Sequence, residues 1–126
     1  MAPRTLAVVG NGMVGASLLD RLVRAGSDWR PVVFGDEPRP AYDRIGLSKV
    51  LAGDRAPDDL VLRSRDWYAE HGIELHTGCR VEGLDPHART LRTEHGDFGY
   101  DACVLATGSL PLLLPIPGAD LEGVLV

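Results

Sequence analysis

The sequence predicts an α/β fold in which a parallel sheet and an antiparallel meander share one domain. A continuous apolar stretch at residues 5–9 precedes three glycines in a GxGxxG pattern and an amphipathic helix. A second continuous apolar stretch at 102–106 is typical of a strand buried on both faces of a parallel sheet. Residues 79–100 alternate apolar and polar side chains, with turn signals at 85–86 and 95–96, which is typical of antiparallel strands.

Length, composition and charge limit the classes of partner. A chain of 126 residues has the size of one domain, and its 44% hydrophobic and 25% charged residues are ordinary for a globular protein. The formal net charge of −5 argues against a nucleic-acid partner. No apolar run approaches the length of a membrane span, and the N-terminus does not resemble a signal peptide. The sequence therefore predicts no membrane anchor and a cytoplasmic location.

The first 37 residues predict a complete βαβ unit. The first strand covers residues 5–9, and a helix begins at Met13, from which apolar residues recur at helical spacing. Gly26 stands where a helix end is expected. A second strand at residues 32–34 completes the unit, and its crossover should be right-handed.

The middle of the chain predicts two shorter helices and another strand. Prolines interrupt regular structure after the βαβ unit, and a short helix is expected over residues 44–51, closed by Gly53. A further helix should be capped by Ser64 and end at Gly72. A strand at 73–78 follows it.

The three glycines suit a strand-to-helix turn that accepts phosphates. Gly10 permits a tight reversal, Gly12 leaves no side chain in the path of a pyrophosphate, and Gly15 permits close packing of helix on strand. Free N–H groups at the helix start, at Met13 and Val14, then face the phosphates together with the positive end of the helix dipole. The pattern predicts dinucleotide binding by these five residues, with a purely structural turn as the alternative.

Two acidic residues stand where a ribose ligand is expected. An acid about twenty positions beyond the glycines commonly bonds a ribose hydroxyl, and Asp36 and Glu37 follow the second strand at that distance. The spacing leaves open which of the two binds. The glycine pattern also leaves FAD and NAD open, because both contain the same adenosine diphosphate half.

Three segments carry a resemblance to a known family: VVFGDEPRPAYDRIGLSKVLAG, DWYAEHGIELHTG and VLATGSLPLLLPIPGADLEGVLV. They resemble the N-terminal FAD domain of pyridine-nucleotide-disulfide-oxidoreductase-type flavoproteins, and within these the large subunits of NAD(P)H-dependent nitrite reductases. The resemblance covers nearly the whole chain. It implies a Rossmann-like FAD-binding domain of which residues 1–126 are the N-terminal part. It also implies that the segments completing the flavin site and the NAD(P)H-binding domain are absent.

The resemblance implies further FAD neighbours beyond the glycine turn, namely Arg44, Ser48, Lys49, Val81, Thr107 and Gly108. Arg44 and Lys49 would lie beside the cofactor, where cations suit a pyrophosphate and favour the reduced flavin. Ser48 would be a helix-start residue or a phosphate contact. Val81 would contact the adenine through its backbone. The alternative for the two cations is a solvated position on a loop.

The implied function is electron transfer. In the complete enzyme, FAD would accept hydride from NAD(P)H and pass electrons to metal centres outside this chain, where nitrite is reduced. Residues 43–53 contain no cysteine, which argues against a thiol relay between flavin and substrate. Cys79 and Cys103 form no CxxC pair, so neither a metal ligand nor a catalytic residue is assigned to this chain.

Two alternatives remain open. The FAD domain of a ferredoxin or rubredoxin reductase-like enzyme is favoured by LSK at residues 47–49 and disfavoured by AYDRI and DWYAEHGI. A non-catalytic nucleotide-binding or interaction module would hold no flavin. The chain alone is expected to be inactive, and its apolar LPLLLPIPG segment is expected to cause self-association or marginal stability.

Overall fold

The computed structural model describes residues 2–126 and contains seven strands and three α-helices in that range. In chain order these are β1 Thr5–Val9, α1 Met13–Arg24, β2 Arg30–Phe34, α2 Leu47–Leu51, α3 Arg65–Glu70, β3 Glu74–His76, β4 Val81–Asp85, β5 Thr90–Thr93, β6 Gly96–Gly99 and β7 Ala102–Leu105. Two short 3-10 helices, Arg44–Gly46 and Pro57–Leu60, lie before and after α2.

Four of the strands form a parallel sheet in the order β3-β2-β1-β7. Val8 of β1 is paired with Val33 of β2 on one side and with Val104 of β7 on the other. The central position of β1 accounts for its continuous apolar sequence, because both faces of a central strand in a parallel sheet are covered. The predicted βαβ unit and parallel sheet are confirmed.

One face of the parallel sheet packs against α1 and α3. The core on this side consists of Leu6, Val8, Leu19, Val33, Tyr68 and Ile73. Leu19 of α1 is completely buried, and Tyr68 of α3 is 1% exposed. Burial of a side chain of this kind contributes about 1.5–3 kcal/mol relative to leaving it exposed, so both helices are held by their apolar faces.

The opposite face of the sheet is covered by an antiparallel meander in the order β4-β5-β6. Leu91 of β5 is completely buried, and the ring of Phe98 in β6 meets that of Phe34 in β2 edge to face, with 5.0 Å between centroids. The meander therefore covers the second face of β1 and β2, so that both strands are covered on two faces. The predicted combination of parallel sheet and antiparallel meander is confirmed.

The helix ends follow the capping residues that the sequence indicates. The Ser64 hydroxyl accepts the N–H of Trp67 at 3.2 Å, and α1 ends at Arg24, two positions before Gly26. The helix predicted over residues 44–51 begins instead with one 3-10 turn. The Asp43 carboxylate accepts the N–H of Ile45 at 3.0 Å and initiates this tighter turn.

The strand predicted at residues 73–78 is shorter in the structure and ends at His76. The reason is that the chain beyond it bonds to the loop after β2 instead of continuing the ladder. The N–H of Gly78 donates to the Glu37 carbonyl at 2.9 Å, and the N–H of Cys79 donates to the Gly35 carbonyl at 2.9 Å. These bonds fix the loop that follows β2.

The last strand and the residues after it present an apolar surface. In the sheet, β7 has a neighbour on one side only, and residues 106–126 contain neither helix nor strand. The exposed large apolar side chains of this segment are Leu110, Leu112, Leu113, Leu114, Ile116, Leu121, Val124, Leu125 and Val126. Within residues 2–126, no helix combines the length and the apolar character that crossing a membrane requires.

Candidate nucleotide-binding site

A cleft of about 470 Å³ opens at the carboxyl ends of β1, β2 and β7. It is lined by residues 10–14, 35–37, 39–40, 42, 44 and 106–110. In the sheet, β2 and β3 lie on one side of β1, and β7 lies on its other side. The cleft is therefore at the point where the strand order reverses. Open α/β sheets bind ligands at this kind of crevice, and the volume lies within the usual range of about 300–1,000 Å³.

The turn after β1 leaves no space for a side chain at Gly10. This residue has φ +105°, and a Cβ atom there would lie 2.1 Å from the carbonyl oxygen of Ala106. Its N–H donates to the Phe34 carbonyl at 2.8 Å. The first glycine is therefore required by the approach of β2 and β7 to the end of β1.

The second and third glycines have different surroundings. A Cβ atom on Gly12 would meet no atom within 4 Å, so this position opens onto the cleft. A Cβ atom on Gly15 would lie 2.5 Å from the carbonyl oxygen of Gly10, which means that α1 packs directly on the turn. Of the three glycines of the turn, only Gly12 would place a Cβ atom in free space, and Gly12 lines the cleft.

The N-terminus of α1 has donors without acceptors in the helix. The first intrahelical bond runs from the N–H of Ala16 to the Gly12 carbonyl at 3.0 Å, so the amides of Met13, Val14 and Gly15 have no partner within α1. No side chain caps this end, and its first turn contains no acidic residue. Donors and the positive end of the dipole suit an anionic phosphate group.

The two acidic residues after β2 have different partners. Glu37 accepts from the Tyr42 hydroxyl at 2.8 Å and from the Arg44 guanidinium at 2.5 Å. The carboxylate of Asp36 is 67% exposed and lies 3.6 Å from the Arg80 guanidinium. Both acids line the cleft, but Glu37 is the one whose carboxylate is fixed by close hydrogen bonds.

The structure brings nine of the predicted site residues together in the cleft lining: Gly10, Gly12, Met13, Val14, Asp36, Glu37, Arg44, Thr107 and Gly108. Gly15 lies beneath the turn. Ser48 and Lys49 are exposed on α2, and Val81 is half-buried against the core at the start of β4, so these three lie outside the lining. Cofactor contacts by the predicted residues remain predictions.

Asn11 is a cleft residue that the sequence patterns did not single out. Its amide oxygen accepts the Tyr68 hydroxyl at 3.3 Å, and its amide nitrogen is buried without a hydrogen-bond partner. The only available signal was its position between Gly10 and Gly12. Arg39, Tyr42 and Leu110 also line the cleft and lie within segments quoted for the family resemblance or next to predicted residues.

Metal-binding and thiol chemistry have little support here. In the part of the chain that the structure describes, no three His, Cys, Asp or Glu side chains are close enough to hold a metal ion. Cys79 is buried, Cys103 is half-buried, and neither forms a disulfide. Burial raises the pKa of the Cys103 thiol, so at neutral pH it is protonated and weakly nucleophilic.

A second cleft of about 400 Å³ lies on the meander and is lined by residues between Gly83 and Asp97. It contains one cation, Arg92, together with Asp85 and Asp97. No helix N-terminus points into it, because this part of the chain is entirely β-strand and turn. The cleft at the strand ends is therefore the better candidate for a phosphate-containing ligand.

Comparison with known proteins agrees with this site. A family model described as pyridine nucleotide-disulphide oxidoreductase matches residues 4–126. Two Bacillus subtilis (strain 168) relatives are "Nitrite reductase [NAD(P)H]", 43% identical, and "Assimilatory nitrate reductase electron transfer subunit", 42% identical. Each alignment covers 98% of this chain and 16% of the relative.

A solved structure gives a similar result. A ferredoxin reductase from Rhodopseudomonas palustris superimposes with a TM-score of 0.87 at 30% identity, covering 97% of this chain and 30% of that protein. This chain thus spans less than a third of the proteins that it matches here. The family match, the strand order and the glycine turn agree, and the chain belongs to the pyridine nucleotide-disulphide oxidoreductase family.

Proposed function

We propose that the cleft binds FAD and that residues 1–126 are the N-terminal FAD-binding part of an NAD(P)H-dependent oxidoreductase. The observation that carries this proposal is that three groups suited to a dinucleotide lie around one cleft. The unpartnered N–H groups at the start of α1, the open position at Gly12 and the fixed carboxylate of Glu37 all face the same cleft. Phosphates and a ribose are the groups that such a set of donors and acceptors recognises.

Different residues would bind the pyrophosphate and the ribose of the cofactor's adenosine half. The amides of Met13 and Val14 would donate to the pyrophosphate, whose approach Gly12 leaves open. Glu37 would accept hydrogen bonds from the ribose hydroxyls, because the Tyr42 hydroxyl holds its carboxylate in place. Asp36 is more exposed, and its carboxylate lies beside Arg80. When bound, FAD supplies hydride acceptance from a nicotinamide and the release of single electrons.

The 43% identity to the nitrite reductase of Bacillus subtilis (strain 168) supports a nitrite reductase-type parent. We propose that the complete protein is a cytoplasmic enzyme that takes electrons from NAD(P)H and delivers them to metal centres held elsewhere in the polypeptide. The absence of cysteine in residues 43–53 is consistent with transfer that uses no thiol relay on this segment. The 126 residues alone would bind cofactor without completing this reaction.

A ferredoxin reductase is the second candidate for the parent enzyme. The Rhodopseudomonas structure and the LSK sequence at residues 47–49 favour it. The polypeptide that follows residue 126 in the parent gene would discriminate between the two. Four clustered cysteines there would indicate an iron–sulfur or sirohaem centre in the same chain and hence the nitrite reductase type.

An absorption spectrum tests cofactor binding directly. The purified chain is incubated with FAD, separated from free ligand and scanned, in parallel with Gly12→Val. Since a Cβ atom at Gly12 would meet no protein atom within 4 Å, the variant should remain folded while blocking the pyrophosphate. Flavin bands in the wild type that are lost in a folded variant would support the proposal. A folded, colourless wild type would favour a module that holds no flavin.

A further inference from the structure

Three side chains of the segment after β2 contact one another at the cleft. The Tyr42 hydroxyl donates to Oε2 of Glu37 at 2.8 Å, and Nη2 of Arg44 donates to Oε1 at 2.5 Å. The guanidinium of Arg44 also lies 5.6 Å from the centroid of the Tyr42 ring. Each carboxylate oxygen of Glu37 is thus held by a different donor.

Of the two donors, Tyr42 is the more firmly placed. Its backbone forms an antiparallel bridge with Val61. On either side of this bridge, the N–H of Leu62 donates to the Ala41 carbonyl at 2.9 Å and the N–H of Asp43 donates to the Leu60 carbonyl at 2.8 Å. The Arg44 side chain, by contrast, is 57% exposed. The Tyr42 hydroxyl that donates to Glu37 is therefore carried by a backbone segment that is hydrogen-bonded on both sides.

The phenol is also suited to remain a donor. Burial, and then the hydrogen bond to Glu37, raise the pKa of Tyr42 above its ordinary value. At neutral pH the hydroxyl is accordingly protonated and directed at the carboxylate. A Glu side chain that is not held in this way loses more rotamer freedom when it is fixed by a ligand, and that loss weakens binding.

A carboxylate has about four acceptor directions, two on each oxygen. Tyr42 occupies one on Oε2 and Arg44 occupies one on Oε1, which leaves one on each oxygen. One remaining acceptor direction on each of two neighbouring oxygens matches the two vicinal hydroxyls of a ribose. The side of Glu37 that its protein donors leave available therefore has the chemistry of a diol acceptor.

We propose that Tyr42 is a positioning residue that orients the Glu37 carboxylate so that both of its remaining acceptor directions receive the ribose hydroxyls of the bound dinucleotide. This inference rests on the proposed function, because it concerns the same cleft and the same ligand. It assigns a role to a residue that touches Glu37 and does not itself need to touch the cofactor.

The test compares two nucleotides that differ by one hydroxyl. Dissociation constants for ADP and 2′-deoxy-ADP are measured by calorimetry on the full chain, for the wild type and for Tyr42→Phe. The wild type should bind ADP about tenfold more tightly than 2′-deoxy-ADP, the loss expected for a hydrogen bond to a charged group. In Tyr42→Phe, which keeps the ring beside Arg44, the ratio of the two constants should fall towards one.

Tyr100→Phe is the matched control, since it removes a phenol that donates to the Asp85 carbonyl on the meander, at 3.4 Å. Its nucleotide ratio should equal that of the wild type. An unchanged ratio in Tyr42→Phe, or an equal loss of affinity for both nucleotides, would overturn the positioning role while leaving cofactor binding intact. A wild type that binds neither FAD nor ADP would overturn the proposed function and this inference together.

Discussion

The Tyr68 hydroxyl donates to the amide oxygen of Asn11 at 3.3 Å, which ties α3 to the glycine turn across 57 positions of sequence. Tyr68 is 1% exposed, and its ring packs in the core against Leu19 and Val33. The turn that faces the cleft is therefore anchored from behind by a buried side chain, and its conformation depends on the core as well as on its glycines.

Removing this anchor should cost stability. In Tyr68→Phe the ring remains and the Asn11 amide oxygen loses its donor, so we expect a loss of about 1–3 kcal/mol in the free energy of unfolding. Urea denaturation of the two proteins measures the difference. Tyr100→Phe, whose phenol is on the surface of the meander, should differ from the wild type by less. Equal stability of Tyr68→Phe and the wild type would contradict the assignment.

Substitution by alanine should reduce stability far more at Gly10 than at Gly12. Gly10→Ala places a Cβ 2.1 Å from the Ala106 carbonyl oxygen at φ +105°, so we expect a loss of about 3 kcal/mol or more. Gly12→Ala meets no neighbour and should cost about 1 kcal/mol, through the weaker helix N-cap alone. Thermal unfolding of both variants checks the order, and a Gly12 variant less stable than the Gly10 variant would be inconsistent with the structure.

A negative charge at Gly12 should weaken FAD binding without changing the stability of the fold. Asp and Asn are both favourable N-cap residues of similar size, so Gly12→Asp and Gly12→Asn should be about equally stable. If α1 receives a pyrophosphate, the aspartate should bind FAD at least about tenfold more weakly than the asparagine, because like charges repel in the cleft. The difference should shrink at high salt. Equal affinities of the two variants would argue against phosphates at this helix end.

The ion pair between α1 and the segment before α3 should be sensitive to acid. The hydrogen bond from Arg63 to Asp20, 2.6 Å in length, is the largest cause that lowers the pKa of the Asp20 carboxyl below 3.8 in the folded protein. A carboxyl with a lowered folded-state pKa contributes stability above its unfolded pKa and loses it as the pH falls through the folded value.

Asp20→Asn should therefore be less stable than the wild type at about pH 7, and the difference should be smaller at about pH 3, because the Asp20 carboxyl takes up protons as the pH falls towards its lowered folded-state pKa. Urea denaturation at the two pH values measures both differences. The neighbouring pair partner Arg24, whose side chain is 76% exposed, offers a control, since Arg24→Gln should change stability less. A difference between Asp20→Asn and the wild type that is the same at both pH values would exclude this linkage.

The apolar segment after β7 should promote self-association. Leu112 is 83% exposed and Leu114 56% exposed, and no charged residue lies near them in sequence. We expect elution in gel filtration to shift with protein concentration, and the double change Leu112→Glu and Leu114→Glu to reduce the shift. Leu84→Glu, at an exposed position on the meander, is the matched control. A monodisperse monomer at every concentration would contradict the prediction.

The fold could be predicted from sequence wherever short-range patterns decide the structure. The continuous apolar run of β1, the Ser64 cap and the glycine turn are local signals with direct physical causes. The early end of β3 could not be predicted, because it depends on Gly78 bonding to Glu37, far away in the chain. Periodicity says which face of a strand is buried and nothing about which loop its end will meet.

The same reasoning separates the predicted from the unpredicted parts of the site. The glycines and the acids after β2 have fixed sequence spacing, so their neighbourhood could be inferred. The contacts of Tyr42 with Glu37 and of Tyr68 with Asn11 could not, since each depends on how a loop or helix is placed in three dimensions. The family resemblance also implied a cofactor contact for Lys49, which α2 places outside the cleft lining.

The pairing of β1 with β7 also has a consequence for biosynthesis. The N–H of Thr5 donates to the Asp101 carboxylate at 2.7 Å, a contact between residues 96 positions apart. The central strand β1 is synthesised well before its second neighbour β7, whose paired residues lie 96 positions later in the chain. Non-local pairing of this kind slows folding. The nascent chain therefore carries a half-paired hydrophobic strand until β7 has been synthesised, and this is the stage at which chaperone protection would matter most.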